Sequence, residues 1–170
     1  MNRVVRLHSF GFSESRTYQV AALFIVANLI LPQLFHLIPQ GGVTWLPIYF
    51  LTLVAAYKFG WRVGLITAVA SPLLNSVLFG MPPAAALPAI LLKSVLLAVI
   101  SGAVASRKAG ASLPALVAVV LAYQVTGCLG EWIMKADFVA ACQDFRIGIP
   151  GMLLQIIGGW ALINYMPDRH

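Results

Sequence analysis

Six apolar segments follow one another along the chain, at residues 18–38, 45–59, 63–79, 84–104, 113–134 and 147–165. In a bilayer core about 30 Å thick a run of roughly 20 such residues can satisfy its backbone polar groups only as a helix that crosses. This pattern limits the fold more than any other feature. Charged residues make up 9% of the 170 residues, against roughly 25% in a soluble domain, so the chain cannot cover a globule with polar surface. The expected architecture is all-α: one integral membrane domain over residues 1–170, built as a bundle of six transmembrane helices. The second and third segments are short of the usual span and are expected to borrow residues from their turns. A single re-entrant unit is disfavoured, because each has its own apolar length and the stretch KFGWR separates them.

The charges between the segments set the orientation. The leader before the first span holds Arg3, Arg6 and Arg16 against Glu14; the second connection holds Lys58 and Arg62; the fourth holds Arg107 and Lys108. The opposite connections carry PQGGVT and GMPP, both uncharged, and a mixed loop with Lys135, Asp137, Asp144 and Arg146. Positive charge concentrates on the cytoplasmic side, which places both termini in the cytoplasm. Residues 1–17 lack an apolar core of the kind a signal peptide needs and read as a cytoplasmic tail. The expected location is the inner (cytoplasmic) membrane of a prokaryote, as a multi-pass protein in contact with the lipid bilayer. The net charge of +6 is scattered singly between apolar runs, which excludes nucleic acid as a partner.

Punctuation agrees with these bounds. Pro39, Gly41 and Gly42 end the first span, Gly80, Pro82 and Pro83 end the third, and Ser112 precedes Leu113 as a helix cap with Pro114 in the first turn. No internal repeat is visible, so an inverted-repeat transporter is not indicated.

The exception to the apolar pattern is Lys93, within AILLKSVLLAVI at residues 89–100. A lysine at mid-span costs roughly 2.5–3.5 kcal/mol on insertion scales and marks a functional site by default. Counting from the span ends puts Lys93 near the bilayer centre. Asn75, His36, Gln124, Glu131, Trp132 and Gln155 fall in the outer half, with Trp45 at the outer surface. The inner half holds fewer polar groups, namely Thr67, Ser101 and Asn164. The distribution describes a polar pocket that opens outward and is closed toward the cytoplasm. Each residue also has a plainer role: Lys93 pairs with Glu131 to hold helices together, Asn75 and the glutamines bond between helices, Trp45 and Trp132 sit at interface depth as tryptophans do, and His36 is an end residue without metal-ligand company.

Catalytic patterns are missing. The chain has no HExxH, no GxSxG, no paired carboxylates at helical spacing within a span and no GxxxxGK[ST]. It is expected not to be an enzyme and to hold no metal or cofactor; active transport would take its energy from a partner or an ion gradient. Cys128 and Cys142 form no CxxC and no metal-ligand cluster and read as packing or loop residues; the alternative is an outward-facing disulfide, which nothing in the sequence supports.

YKFGWRVGLITAVASPLLNSVLFGMPP at residues 57–83 joins a basic turn, a small-residue helix and a Pro/Gly-rich outer loop, and ALPAILLKSVLLA follows at residues 86–98. With the size, span count and topology, these stretches resemble the substrate-binding S component of energy-coupling factor (ECF) transporters. The resemblance implies a membrane-embedded, high-affinity binding subunit for a vitamin-like micronutrient. It implies delivery through a transmembrane coupling protein driven by cytoplasmic ATPase subunits. Lys93 would then face an anionic group of the cargo or pair internally beside a neutral one, with Asn75 and Glu131 fixing polar edges. Many S components dock the coupling protein through an Ala-x-x-x-Ala face on the first span. Ala21, Ala22 and Ala27 do not make that spacing, and Gly64 and Ala68 on the third span offer small residues instead. The competing reading is a structural or assembly subunit of another membrane complex, without its own ligand and with Lys93 paired inside the bundle. An autonomous carrier or channel would need an inner polar path, which the sequence does not show.

Overall fold

The computed structural model describes residues 7–108 and 110–166; Arg3 and Arg6 of the expected tail lie outside them. The described chain is helical, with no strand. Its elements are α1 (Ser15–His36), α2 (Gly41–Trp45), α3 (Pro47–Phe59), α4 (Trp61–Phe79), α5 (Leu87–Ala105), α6 (Leu113–Lys135), the single turns α7 (Phe138–Ala141) and α8 (Gln143–Arg146), and α9 (Ile149–Tyr165). Five stretches are long and apolar enough to cross a membrane, namely α1, α2 with α3, α4, α5 and α6; α9 is apolar but shorter. These helices give the chain the character of a multi-pass membrane protein.

The second span does borrow from its turn, running over Gly41–Phe59 with a break at Leu46. The break has a local cause. Leu46 precedes Pro47, whose ring disfavours a right-handed helical conformation there, and Leu46 takes φ 47° instead. A leucine held in the left-handed region is strained by about 1–3 kcal/mol, so the surrounding packing must fix it. Pro47 then starts α3 at the position where a missing N–H costs least. Elsewhere the caps follow the sequence: Ser112 accepts from the Ala115 N–H at the start of α6, and Gly80 closes α4 at φ 67°.

The central element is α3. From Leu53 to Tyr57 its side chains are inaccessible, and it packs against α1, α4, α5 and α9. Small residues permit the close approaches. A Cβ on Gly64 of α4 would overlap Ala56 of α3, and Ala68 is buried with Ala56 and Ala98. Gly64 and Ala68 are therefore used inside the bundle and do not form the open small-residue face that the sequence suggested. The outer faces are apolar too: Val117, Leu121, Val125, Leu129 and Ile133 run along one exposed side of α6 at four-residue intervals. Such a stripe is the surface that lipid covers.

One end of the bundle gathers the end of α1, α2, the α4–α5 connection, and α7 with α8; it is called here the site end. At the opposite end, the His8 N–H donates to the Lys58 carbonyl and Arg62 Nη1 to the Phe10 carbonyl. These bonds fold the described tail back onto α3 and α4. Lys58, read from sequence as a loop charge, is buried here. Its Nζ donates to the carbonyls of Ile163 (3.2 Å) and Met166 (2.9 Å). It thus satisfies the C-terminal carbonyls of α9, where a cation is favoured.

Candidate functional site

The site end holds a four-charge cluster. Lys93 Nζ lies 2.6 Å from Glu131 Oε2 and 2.8 Å from Asp144 Oδ2. Glu131 Oε1 accepts from Lys135 Nζ at 2.6 Å, one turn along α6. Two cations thus meet two carboxylates and the cluster is neutral. Lys93 is six residues from the start of α5, so at about 1.5 Å per residue it lies about 9 Å from the helix end rather than at mid-span. The difference comes from residues 84–86, expected within the span, which precede the helix. Glu131 is the partner the sequence offered. Asp144, on α8 between α6 and α9, is a loop charge by sequence and a cluster member in the structure. No local signal marks it, because its partner is 51 residues away.

Gly127 makes the cluster possible. A Cβ at this position would stand 2.5 Å from Lys93 Cγ, so only glycine leaves α6 open for the lysine stem to pass. A cavity of about 170 Å³ adjoins the cluster, lined by Lys93, Glu131, Lys135 and Asp144 together with Tyr49 and Gln143. A larger cavity of about 540 Å³ lies on the other side of Gly42, Val43, Ile48, Ala86 and Ile90, which line both. Its wall is mostly proline and aliphatic, with Pro32, Pro47, Pro82 and Pro83, and its polar lining comes from His36, Gln40 and Asn75.

Asn75 also joins helices. Its Nδ2 donates to the carbonyls of Asn28 (2.9 Å) and Ser71 (3.0 Å), and its Oδ1 accepts from Gln33 at 3.2 Å. Asn28 in turn donates to the Ile48 carbonyl and to Thr52. This buried seam ties α1 to both α3 and α4. Asn28 is absent from the expected site residues, although an asparagine in mid-span is itself the sequence signal for such a bond.

The other candidates stand apart from the cavities. Gln124 and Gln155 are buried below them: Gln124 Nε2 donates to Tyr123 Oη (3.0 Å), which donates to Gln155 Oε1 (2.7 Å). Gln124 Oε1 and Gln155 Nε2 have no protein partner. Gln155 sits in a π-helical turn of α9, Leu154–Gly158. Trp45 packs on Phe35, with ring centroids 5.8 Å apart, and not on either cavity. Trp132 is 44% exposed and meets Phe138 edge-on at 5.4 Å. Depth alone had placed both tryptophans near the pocket; helix azimuth, which depth does not give, turns them away. The structure therefore brings Lys93 and Glu131 to one cavity and His36 and Asn75 to its neighbour, and leaves Trp45, Trp132, Gln124 and Gln155 outside. Among the described residues no group of three or more His, Cys, Asp or Glu is placed to hold a metal ion.

No protein-family model matches the chain, and no curated protein or solved structure matches it either.

Proposed function

We propose that this chain is a membrane-embedded binding subunit for uptake of a vitamin-like micronutrient. It receives the cargo at the site end and passes it to a transmembrane coupling protein driven by cytoplasmic ATPase subunits. In this reading α9 is the sixth span, the site end faces outward, and both termini are cytoplasmic in the inner membrane of a prokaryote. The basic residues Lys58, Arg62, Arg107 and Lys108 belong to the opposite end, as that orientation requires. The chain itself is proposed to catalyse no reaction of the cargo.

The observation that carries the reading is the cavity of about 540 Å³ at the site end, within the range of roughly 300–1,000 Å³ usual for small-molecule pockets. Its apolar wall with few polar groups suits a vitamin-sized body. Because Lys93 and Lys135 are balanced by Glu131 and Asp144, no spare cation is offered to an anionic cargo. The proposed ligand is neutral.

The second reading is a structural or assembly subunit. It is favoured by the same internal pairing of Lys93, which such a subunit would use to hold α5, α6 and α8 together. Native mass spectrometry of the gently purified protein, with identification of small molecules released on denaturation, separates the two. A stoichiometric vitamin-sized molecule supports the binding subunit. A protein that stays empty through titration with candidate vitamins, yet retains a specific protein partner, supports the assembly subunit.

A further inference from the structure

Cys128 lies on α6 and Cys142 between α7 and α8, and their Sγ atoms are 3.1 Å apart. Both are free thiols. A disulfide bond is roughly 2 Å long, so about 1 Å of approach closes the pair. The two differ in access: Cys128 is 6% exposed, whereas Cys142 is half-buried at the surface of the loop. Two residues beyond Cys142 stands Asp144, which reaches Lys93.

We propose that Cys128 and Cys142 are a redox pair whose intramolecular disulfide staples the α7–α8 loop to α6 and so holds Asp144 over Lys93. The chemistry is thiol–disulfide exchange. The thiolate of Cys142, the more accessible sulfur, attacks a sulfur of an external disulfide and displaces one thiolate of it, forming a mixed disulfide. The thiolate of Cys128, already in contact, attacks the Cys142 sulfur and displaces the second thiolate. Two protons leave the protein, two electrons pass to the oxidant, and the external disulfide is reduced to two thiols. With the site end facing outward, as proposed above, the pair meets an oxidising compartment. The exchange itself does not depend on the identity of any cargo.

The test uses the full chain in lipid nanodiscs, reduced with a phosphine or incubated with oxidised glutathione. Each sample is quenched in acid, denatured, treated with a maleimide and weighed intact. Reduced protein is expected to carry two maleimides. Oxidised protein is expected to carry none, to remain monomeric and to yield one peptide pair linked through Cys128 and Cys142. Cys128→Ser is expected to stop at a glutathione adduct on Cys142, since the resolving sulfur is gone. Two maleimides after oxidation, a lasting glutathione adduct on the unmodified sequence, or a linked dimer would each overturn the proposal. Hydrogen exchange over residues 136–148 tests the staple: slower exchange in the oxidised form is expected, and equal exchange in the two forms refutes a role in holding the loop.

Discussion

Replacing Lys93 by Met removes one cation from a neutral cluster and leaves two carboxylates with one lysine. Breaking a buried pair by deleting one partner costs roughly 3–5 kcal/mol, chiefly because the other charge stays buried. Two features put this case at the lower end. Glu131 keeps Lys135 at 2.6 Å, and the Asp144 side chain is 13% exposed. The expected loss is therefore about 3 kcal/mol, or about 6–12 °C in melting temperature for a chain of this size. Tryptophan fluorescence during heating in detergent measures it. The partners then make an ordering. In Lys93→Met with Asp144→Asn, the remaining Glu131 and Lys135 are a matched pair, so much of the loss should return. In Lys93→Met with Glu131→Gln, Asp144 still lacks its partner, so little should return. If the Asp144→Asn double variant melts no higher than Lys93→Met alone, Asp144 is not the partner and the cluster as described is wrong.

Gly127→Ala places a Cβ against Lys93 Cγ and should cost about 1–3 kcal/mol by overpacking, read as a lower melting temperature; the added cost should shrink in a Lys93→Ala background, which lacks that Cγ. Lys58→Met withdraws the charged donor from the Ile163 and Met166 carbonyls, worth about 1.5–3 kcal/mol for bonds to a charged group; faster hydrogen exchange over residues 160–166 is the expected sign. In the binding-subunit reading, Trp132→Ala, at an exposed position away from both cavities, should leave the amount of copurified small molecule in native mass spectrometry unchanged. His36→Leu should keep stability within about 0.5 kcal/mol, as for surface changes generally, while lowering the amount of copurified small molecule. A drop in melting temperature instead would make His36 a structural residue.

Helix positions were legible because periodicity, glycine, proline and charge act locally. Gly80, Ser112 with Pro114, and the KFGWR turn each mark a boundary within a residue or two of the observed one. Lys93 was legible because a charge in an apolar run has few innocent explanations. Three features were not. Asp144 reads as a loop acid until the loop folds inward. Lys58 reads as a topology marker, yet its four-carbon stem lets the ammonium reach carbonyls 105 and 108 residues away. The tryptophans were misplaced because depth fixes a residue along the membrane normal but not which side of its helix it occupies. In each case the missing information is a long-range contact or an azimuth, and one-dimensional spacing carries neither.

In the binding-subunit reading, the remaining hydrogen-bonding capacity narrows what the two adjoining cavities of the site end would recognise. Both Asn75 amide hydrogens are donated within the bundle and its Oδ1 already accepts from Gln33, so Asn75 can still accept one bond but donate none. Lys93 has two of its three donor directions directed to Glu131 and Asp144. Those carboxylates only accept when ionised, and each has lone pairs beyond the bonds to lysine. At the smaller cavity the free capacity is therefore weighted toward acceptors, while His36 and Gln40 add both donors and acceptors at the larger one. A neutral molecule whose polar edge donates, through hydroxyl, amino or ring N–H groups, is the complement. A carboxylate reaching the smaller cavity would meet a neutral cluster whose two cations are already paired, so it would lose its hydration without gaining an unopposed counter-charge. Among candidate vitamins, titration should thus favour neutral donor-bearing rings over carboxylate-bearing ones, and Asp144→Asn should narrow that preference by leaving one cation of the cluster unbalanced.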